Sequence, residues 1–398
     1  MNAIAIYTIT SGLHDEAAVS CLSDAFLGSL CIEYTFCGAD FSTFGQSPLS
    51  LIYVRTGGAE GIFKALFPKI REQYQGPVYL LTSGKSNSLA ASLEILSWLR
   101  QQGIAGEVLH GRPEALGARI RLLEQVASAR RALQGCRVGV VGKPSDWLIA
   151  SGADAQALRE KWGVHLVDVP MGDLLEAISR TPAPEAPEDL PMKRDIRGNW
   201  PGALQIYEAL KEIREKYDLQ ALTLRCFDLL TAVGNTGCIA LARLNAEGIP
   251  ASCEGDVPAL LSMMLARALT GCPGFQANPS EIDALGGEIL FAHCTISLAI
   301  PRSVQYDTHF ESGIGVGIHG EFPEGPVTVL KLSGNLERAF VAEGELVANQ
   351  YEENLCRTQV RVRLSPDEAR YFLTHPIGNH HIIVPGHHKA LIEAFLEV

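Results

Sequence analysis

The feature that most constrains the fold is an order of strand, glycine turn and helix that repeats along the first third of the chain. The segment "SLIYVRTGGAEGIFKALF" shows this order, and "GPVYLLTSGKSNSLAASLEILSWLRQQG" repeats it with a longer helix. Such repetition predicts a parallel, doubly wound sheet, in which ligands bind beyond the carboxyl ends of the strands. The loops "RTGGAEG" and "TSGKSNS" would lie there. Neither matches a nucleotide-binding glycine pattern, so plain turns are the favoured interpretation.

The chain of 398 residues is too long for one ordinary core, and its patterning predicts three domains. The first, residues 1–135, ends before a new strand and turn in "CRVGVVGKPSDWLIAS". The second, 136–300, is also α/β. In the third, 301–398, "GPVTVLKLSGNLERAFVAEGELV" and "TQVRVRL" alternate apolar and polar residues, which predicts an antiparallel barrel or sandwich followed by a terminal helix.

Charge and cysteine usage exclude several classes of protein. The net charge of −12 argues against nucleic acid as a partner, because phosphate binding needs clustered Lys and Arg. The ten cysteines are scattered through apolar segments without a C-x-x-C pair, which is typical of reduced thiols. No signal-peptide pattern and no apolar run of membrane-spanning length is present. We therefore expect a cytoplasmic protein without membrane association.

Two acids immediately precede a strongly apolar helical segment in "SCEGDVPALLSMMLARALTGCPGFQAN". Glu254 and Asp256 stand on either side of Gly255. Acids are favourable at a helix N-terminus, which carries partial positive charge. Asp256 is predicted to be the helix cap. A buried carboxylate at Glu254 must be paired or must bind a cation, so Glu254 is the predicted site carboxylate.

Histidines concentrate near the end of the chain, where eight of the eleven lie after residue 292. His380 and His381 stand in "GNHHIIVPGHH", at one end of a short apolar strand from which an imidazole can be aimed at a metal. His293 lies in the apolar strand "GEILFAHCTISLAI", where a hydrogen-bonded core histidine is the favoured interpretation from the residues alone. One carboxylate with one or two imidazoles suits Mn²⁺, Fe²⁺ or Zn²⁺.

Taken together, "CEGDVPALLSMMLARALTGCPGF", "FAHC" and "GNHHIIV" resemble motifs of the L-fucose and L-arabinose isomerases. The resemblance implies two Rossmann-like α/β domains followed by a β-rich C-terminal domain. It implies that Glu254 is a metal ligand and half of an acid/base pair. It also implies that His293 and His380, or His381 in its place, bind the same Mn²⁺. The implied reaction interconverts an aldose and a ketose through an enediolate, in a homo-oligomer that is a trimer or hexamer.

The chain departs from the family where a second acid is expected. Ala277 and Asn278 stand there, and an amide can coordinate a metal weakly but cannot act as a base. Glu281 or Asp283 on a shifted loop is the alternative, and Asp283 is the candidate for the second catalytic acid. The leading hypothesis is a metal-dependent sugar isomerase. The alternative is a sugar-binding or catalytically altered protein on the same scaffold, and a lyase or aldolase is a third class.

Four further residues are candidates for substrate binding. Asn379 and His381 belong to the "GNHH" segment, where one of the two histidines would bind metal. Trp147, in "PSDWLIAS", could stack on a sugar face or belong to the core. Arg225 could contact substrate, but an ion pair with Asp228 is the favoured interpretation.

Overall fold

The computed structural model describes residues 2–185, 187 and 189–397. The chain folds into two compact units. The first comprises Met1–Arg131 with Ala394–Val398, and the second is Ala132–Glu393. The domain boundaries at 135 and 300 stay predictions.

The first unit is built on a five-stranded parallel sheet with strand order β2-β1-β3-β4-β5. Alternate residues of β1 point to opposite faces, so Ile4 and Ile6 belong to one apolar core while Ala5 and Tyr7 belong to another. Two cores on one sheet confirm the predicted doubly wound arrangement. Its elements are β1 (Ile4–Ile9), α1 (Glu16–Ser29), β2 (Thr35–Gly38), a 3₁₀ turn (Phe41–Thr43), β3 (Leu49–Val54), α2 (Glu60–Gln73), β4 (Val78–Leu81), α3 (Ser88–Gln101), β5 (Gly106–Leu109) and α4 (Pro113–Leu133).

The second unit begins with a four-stranded parallel sheet of order β7-β6-β8-β9. The chain runs from β6 to β7 on one side and then returns to β8 on the other, so the strand order reverses between β6 and β8. Ligands bind at such a switch point in open α/β sheets. Its elements are β6 (Arg137–Val141), α5 (Ala155–Trp162), β7 (His165–Val169), α6 (Met171–Arg180), α7 (Trp200–Lys216), β8 (Ala221–Leu224), α8 (Asp228–Val233), α9 (Cys238–Ala246), β9 (Ala251–Cys253) and α10 (Val257–Thr270).

A closed six-stranded antiparallel barrel follows in the same unit, with order β10-β11-β16-β15-β14-β17. This confirms the predicted β-rich region. Because β17 pairs with β10, Ala277 lies opposite His381, and the two distant segments become neighbours. The elements are β10 (Phe275–Asp283), β11 (Glu288–His293), β12 (Ser303–Asp307), β13 (Gly317–Glu321), β14 (Gly325–Leu332), β15 (Ala339–Gln350), β16 (Thr358–Arg363), α11 (Pro366–Thr374), β17 (His381–Pro385) and α12 (Lys389–Leu396); β12 and β13 form a separate hairpin.

The sequence also predicted reduced cysteines and no apolar run of membrane-spanning length. All ten cysteines are free thiols. Among the helices of the described part of the chain, none combines the length and apolar character that crossing a membrane requires.

Candidate metal centre

Glu254 lies where β9 ends and α10 begins, in a sharp turn. Its φ is +66° and that of Gly255 is +71°, so two successive residues adopt the left-handed region. Only glycine fits at the second position, because a Cβ there would lie 2.6 Å from the Lys143 carbonyl oxygen. A non-glycine residue held in this conformation stores backbone strain, which is common at functional sites. The turn directs a carboxylate that is only 8% exposed toward the barrel.

Three buried side chains from distant segments converge on one point. Oε1 of Glu254 lies 3.4 Å from Nε2 of His380 and 3.7 Å from Nε2 of His293. One ligand atom from each residue lies within 4.8 Å of the others. A cation with bonds of about 2.0 to 2.2 Å separates neighbouring ligand atoms by roughly 3 to 3.6 Å. The observed spacing fits a divalent cation bound by one carboxylate oxygen and two imidazole nitrogens.

The hydrogen bonds of His380 determine which of its nitrogens faces the centre. Nδ1 donates to Oδ2 of Asp256 at 2.8 Å, while Nε2 is fully buried and has no hydrogen-bond partner among the described residues. A histidine that ligates metal commonly donates its other ring N–H to a carboxylate, which fixes tautomer and orientation. The unpartnered Nε2 is therefore available as a ligand atom. His293 also buries an unpartnered ring nitrogen, Nδ1.

Asp256 has two structural roles at once. Its Oδ1 accepts from the backbone N–H of Ala259 at 2.8 Å, which confirms the predicted cap of α10. Its Oδ2 accepts from His380 and lies 3.4 Å from Nζ of Lys331, which is fully buried like Asp256 itself. The cap thus couples the start of α10 to the orientation of a metal-centre histidine.

The proximity of acids and imidazoles shifts their pKa values. Burial disfavours the ionised carboxylate of Glu254, but His293 and His380 outweigh it and hold the pKa of Glu254 well below its usual range. Burial likewise disfavours a charged His380, but the hydrogen bond to Asp256 and the nearby carboxylate of Glu254 outweigh it and raise the pKa of His380 to about 9.

A cleft of about 330 Å³ opens beside Glu254. It is lined by Trp147, Phe227, Glu254, Asn278, Glu311 and Asn379. Nε1 of Trp147 donates to Oε2 of Glu254 at 2.6 Å, and the half-exposed indole packs edge-to-face on Phe227. Aromatic rings beside amides and carboxylates suit a small ligand that carries both C–H faces and hydroxyls.

The structure brings several predicted residues to this cleft. Nδ2 of Asn379 donates to Oδ1 of Asn278 at 3.0 Å, so the pairing of β10 with β17 unites the two amides. Arg225 does not line the cleft, and it pairs with Asp146 at 2.9 Å and Asp228 at 3.0 Å. Its Nη1 also donates to the carbonyl of Pro144. Arg225 thereby holds the loop that presents Trp147.

Two predicted residues lie elsewhere. His381 is fully buried, donates from Nδ1 to the Asn379 carbonyl at 3.0 Å, and accepts the Tyr371 hydroxyl at 3.1 Å. Burial lowers the pKa of His381 to about 3. Asp283 is the last residue of β10, where its Oδ1 accepts from the backbone N–H groups of Leu285 and Gly286 in the hairpin turn that follows. Neither side chain lines the cleft.

Glu311 lines the cleft but was not identified from the sequence. It lies on the connection from β12 to β13, in "THFESGIG". The local signal is weak, because a glutamate close to a histidine in a glycine-containing loop is common on protein surfaces. Only the fold brings this loop beside Glu254.

Comparison with known proteins gives related isomerases at low identity. No protein-family model matches the chain. It is 24% identical over 354 residues to a sulfoquinovose isomerase of Priestia aryabhattai, covering 82% of this chain and 78% of the relative. It is 28% identical over 224 residues to a sulfoquinovose isomerase of Clostridium sp. (strain MSTE9), covering 54% of this chain and 48% of the relative. It is 25% identical over 282 residues to a sulfoquinovose isomerase of Alkalicoccus urumqiensis, covering 65% of this chain and 62% of the relative.

Proposed function

We propose that this chain is a metal-dependent aldose–ketose isomerase that acts on a monosaccharide. The observation that carries the proposal is the buried group of Glu254, His293 and His380, of which Glu254 lines a cleft with polar walls. The similarity to proteins named sulfoquinovose isomerase supports the reaction class. Interconversion of an aldose and a ketose needs charge stabilisation at two adjacent oxygens and proton transfer between two adjacent carbons.

In this proposal Glu254, His293 and His380 hold Mn²⁺ or a similar divalent cation. Bound there, the cation would offset the negative charge that develops on the sugar oxygens. Trp147 and Phe227 provide an apolar surface for the C–H face of the sugar, and their edge-to-face packing at 4.9 Å between ring centroids fixes that surface. A direct metal bond from Asn278 is a further part of the prediction.

The two amides of the cleft would bind the sugar hydroxyls. Asn278 and Asn379 already hydrogen-bond to each other, which orients both groups. Asn278 retains its N–H donors for a hydroxyl, and Asn379 retains one N–H donor and its acceptor oxygen, because a side-chain amide offers two N–H donors and an acceptor oxygen. The pair would therefore select a polyol of a particular stereochemistry.

The identity of the sugar needs a direct test. Sulfoquinovose, after which the relatives are named, is a hexose that bears a sulfonate. The residues that line the cleft contribute two carboxylates and no Lys or Arg. A panel of substrates should therefore include both sulfoquinovose and uncharged aldoses.

The alternative is a sugar-binding protein that has lost turnover. Asn278 in place of an acid favours it, because an amide cannot accept the proton taken from carbon. The two proposals share the same metal centre and cleft, and they differ in whether a base lies near the carbon atoms of the bound sugar.

Solvent exchange separates the two proposals. The protein is incubated with Mn²⁺ and each sugar in D₂O, and the protons at C1 and C2 are followed by NMR. An isomerase exchanges them, and Glu254→Gln abolishes both the exchange and tight Mn²⁺ binding. Binding of metal and sugar without exchange would instead support the sugar-binding alternative. Normal exchange and metal affinity in Glu254→Gln would overturn the assignment of the centre.

Assembly and location stay predictions. A homo-oligomer, as trimer or hexamer, is expected by the resemblance to the isomerase family. Light scattering coupled to size-exclusion chromatography measures the mass directly, and a monomer would contradict the expectation.

A further inference from the structure

Glu254 is poorly suited to carry a proton between two carbon atoms, because both of its oxygens are engaged. Oε1 lies 3.4 Å from Nε2 of His380 and 3.7 Å from Nε2 of His293, as a metal ligand would. Oε2 accepts from Nε1 of Trp147 at 2.6 Å. A carboxylate that would bind a cation with one oxygen and that accepts an indole N–H with the other has little basicity left. The proton must be carried by another group.

The acids of β10 are also engaged, away from the cleft. Glu281 pairs with Arg361 at 2.9 Å. Asp283 caps the hairpin turn by accepting two backbone N–H groups. Moving either into the cleft would break these interactions, and Asn278 offers only an amide.

Glu311 is the second carboxylate among the residues that line the cleft. Within residues 2–185, 187 and 189–397, its side chain makes no hydrogen bond and no salt bridge. Its oxygens are thus free to accept a proton. A general base must lie within reach of the substrate carbon. A monosaccharide that fills a cleft of about 330 Å³ lies close to each residue that lines it.

The loop that carries Glu311 is held on both sides. The backbone N–H of Gly313 donates to the carbonyl of His309 at 2.9 Å, and that of His309 donates to Ile314 at 3.1 Å. The buried His309 ring hydrogen-bonds with Ser312 and packs edge-to-face on Phe227, another residue of the cleft wall. These contacts fix the turn relative to the aromatic surface on which the sugar would lie.

We infer that Glu311 is the catalytic residue that transfers the proton between C1 and C2, an inference that rests on the proposed isomerase function. Starting from the aldose, the Glu311 carboxylate takes the proton from C2. The electron pair of the broken C2–H bond forms the C1=C2 bond, and the π pair of the carbonyl moves to O1. The hydroxyl on C2 then gives its proton to O1, the C2=O bond forms, and C1 takes the proton back from Glu311. No atom or electron is gained or lost.

The test compares Glu311→Gln with two other variants. Glu311→Asp keeps a carboxylate one methylene shorter, and Glu324→Gln neutralises an exposed glutamate on the β13–β14 connection that does not line the cleft. We expect Glu311→Gln to lower C1/C2 exchange by about 10²- to 10⁴-fold, the usual contribution of a general base. Glu311→Asp should retain partial exchange, and Glu324→Gln should match the unmodified protein. Mn²⁺ affinity, measured by calorimetry, should be unchanged in all three.

Each other outcome has a distinct meaning. Exchange that persists in Glu311→Gln would overturn the role of Glu311 and leave the proposed function standing. Parallel loss of exchange and Mn²⁺ affinity would also overturn it, because Glu311 would then support the metal centre instead of moving a proton. Absence of exchange in the unmodified protein with every sugar would remove the proposed function, and the role of Glu311 with it.

Discussion

The carboxyl ends of the two parallel sheets have the same architecture and very different chemistry. In the first unit, the loop after β3 contains Arg55, whose guanidinium is satisfied by Glu16 at 2.7 Å and by the hydroxyls of Thr10, Ser20 and Ser23. After β4, Thr82 hydrogen-bonds to Ser88. These polar groups are paired within their own unit.

In the second unit, Glu254 at the end of β9 accepts a hydrogen bond from Trp147 but also faces buried imidazoles. Within the described part of the chain, Nε2 of His380 has no hydrogen bond although it is fully buried. Backbone strain does not distinguish the two sheets, because Ser86 and Asn87 after β4 also adopt positive φ. The comparison teaches that strain alone does not mark the site, whereas the imidazole nitrogens beside Glu254 that are buried and unpartnered among the described residues carry a desolvation cost that a ligand would remove.

The largest expected effect comes from removing the charge that orients His380. Asp256→Asn keeps a residue that caps helices well, but its amide cannot balance His380 and Lys331. We expect Mn²⁺ affinity to fall by about 10- to 100-fold, as for other partners of ligating histidines. Calorimetric titration measures it. Lys331→Met is the matched control, because it removes the other partner of Asp256 and should largely preserve metal affinity. An equal loss in both variants would contradict a specific role for the Asp256–His380 hydrogen bond.

The second effect is a pH dependence of Mn²⁺ affinity, which arises at the metal centre of the second unit. The pKa of His380, raised to about 9 in the metal-free protein, lies above its unfolded value of about 6.5. Protonated His380 therefore stabilises the metal-free fold fully below pH 6.5, and this stabilisation is lost as pH rises through 9. Mn²⁺ affinity should change in the opposite direction and rise by about tenfold per unit in that window, because the cation displaces the proton. A flat affinity profile from pH 6.5 to 9 would contradict this.

A smaller effect is expected from loosening the loop that presents Trp147. Arg225→Ala removes the ion pairs to Asp146 and Asp228 and the hydrogen bond to Pro144. The exchange rate should fall by roughly tenfold, because a misplaced indole no longer positions the sugar. Metal affinity should change less. Arg225→Lys, which restores the charge, should recover part of the rate, whereas equal rates in all three proteins would exclude a positioning role.

The smallest effect tests the first unit directly. Lys85 is an exposed cation in "TSGKSNS", the loop after β4. Lys85→Ala should leave C1/C2 exchange and Mn²⁺ affinity unchanged, since the polar groups of this loop are paired internally. Loss of sugar binding in this variant would show that the carboxyl end of the first sheet contributes to a site after all, and the comparison would fail.

The regular elements that position the centre were predictable because each depends on local pattern. The strand–turn–helix repeats predicted the parallel sheets, and period-2 alternation predicted an antiparallel barrel or sandwich, of which the structure shows the barrel. Asp256 was predicted as a cap from its place before an apolar helix, and the structure confirms it. Its second bond, to His380, joins residues 124 positions apart, and no local pattern contains that information.

The choice between His380 and His381 shows what local pattern cannot decide. Adjacent residues at a strand end point to opposite sides, so one imidazole faces Glu254 and the other faces Tyr371. The sequence shows two histidines but not the register of β17 against β10. The pKa values follow the same division, raised for His380 and lowered for His381.

The sequence by itself determined the two parallel sheets, an antiparallel β-rich C-terminal region, the cap at Asp256 and the residue types for a metal centre, because hydrophobic period and helix-cap chemistry act over a few residues. Only the tertiary structure decided that Glu254, His293 and His380 meet, that Asp283 caps a turn, and that Glu311 lines the cleft. Those outcomes depend on how the strands of a closed barrel pair, and strand pairing is governed by contacts between residues far apart in the chain.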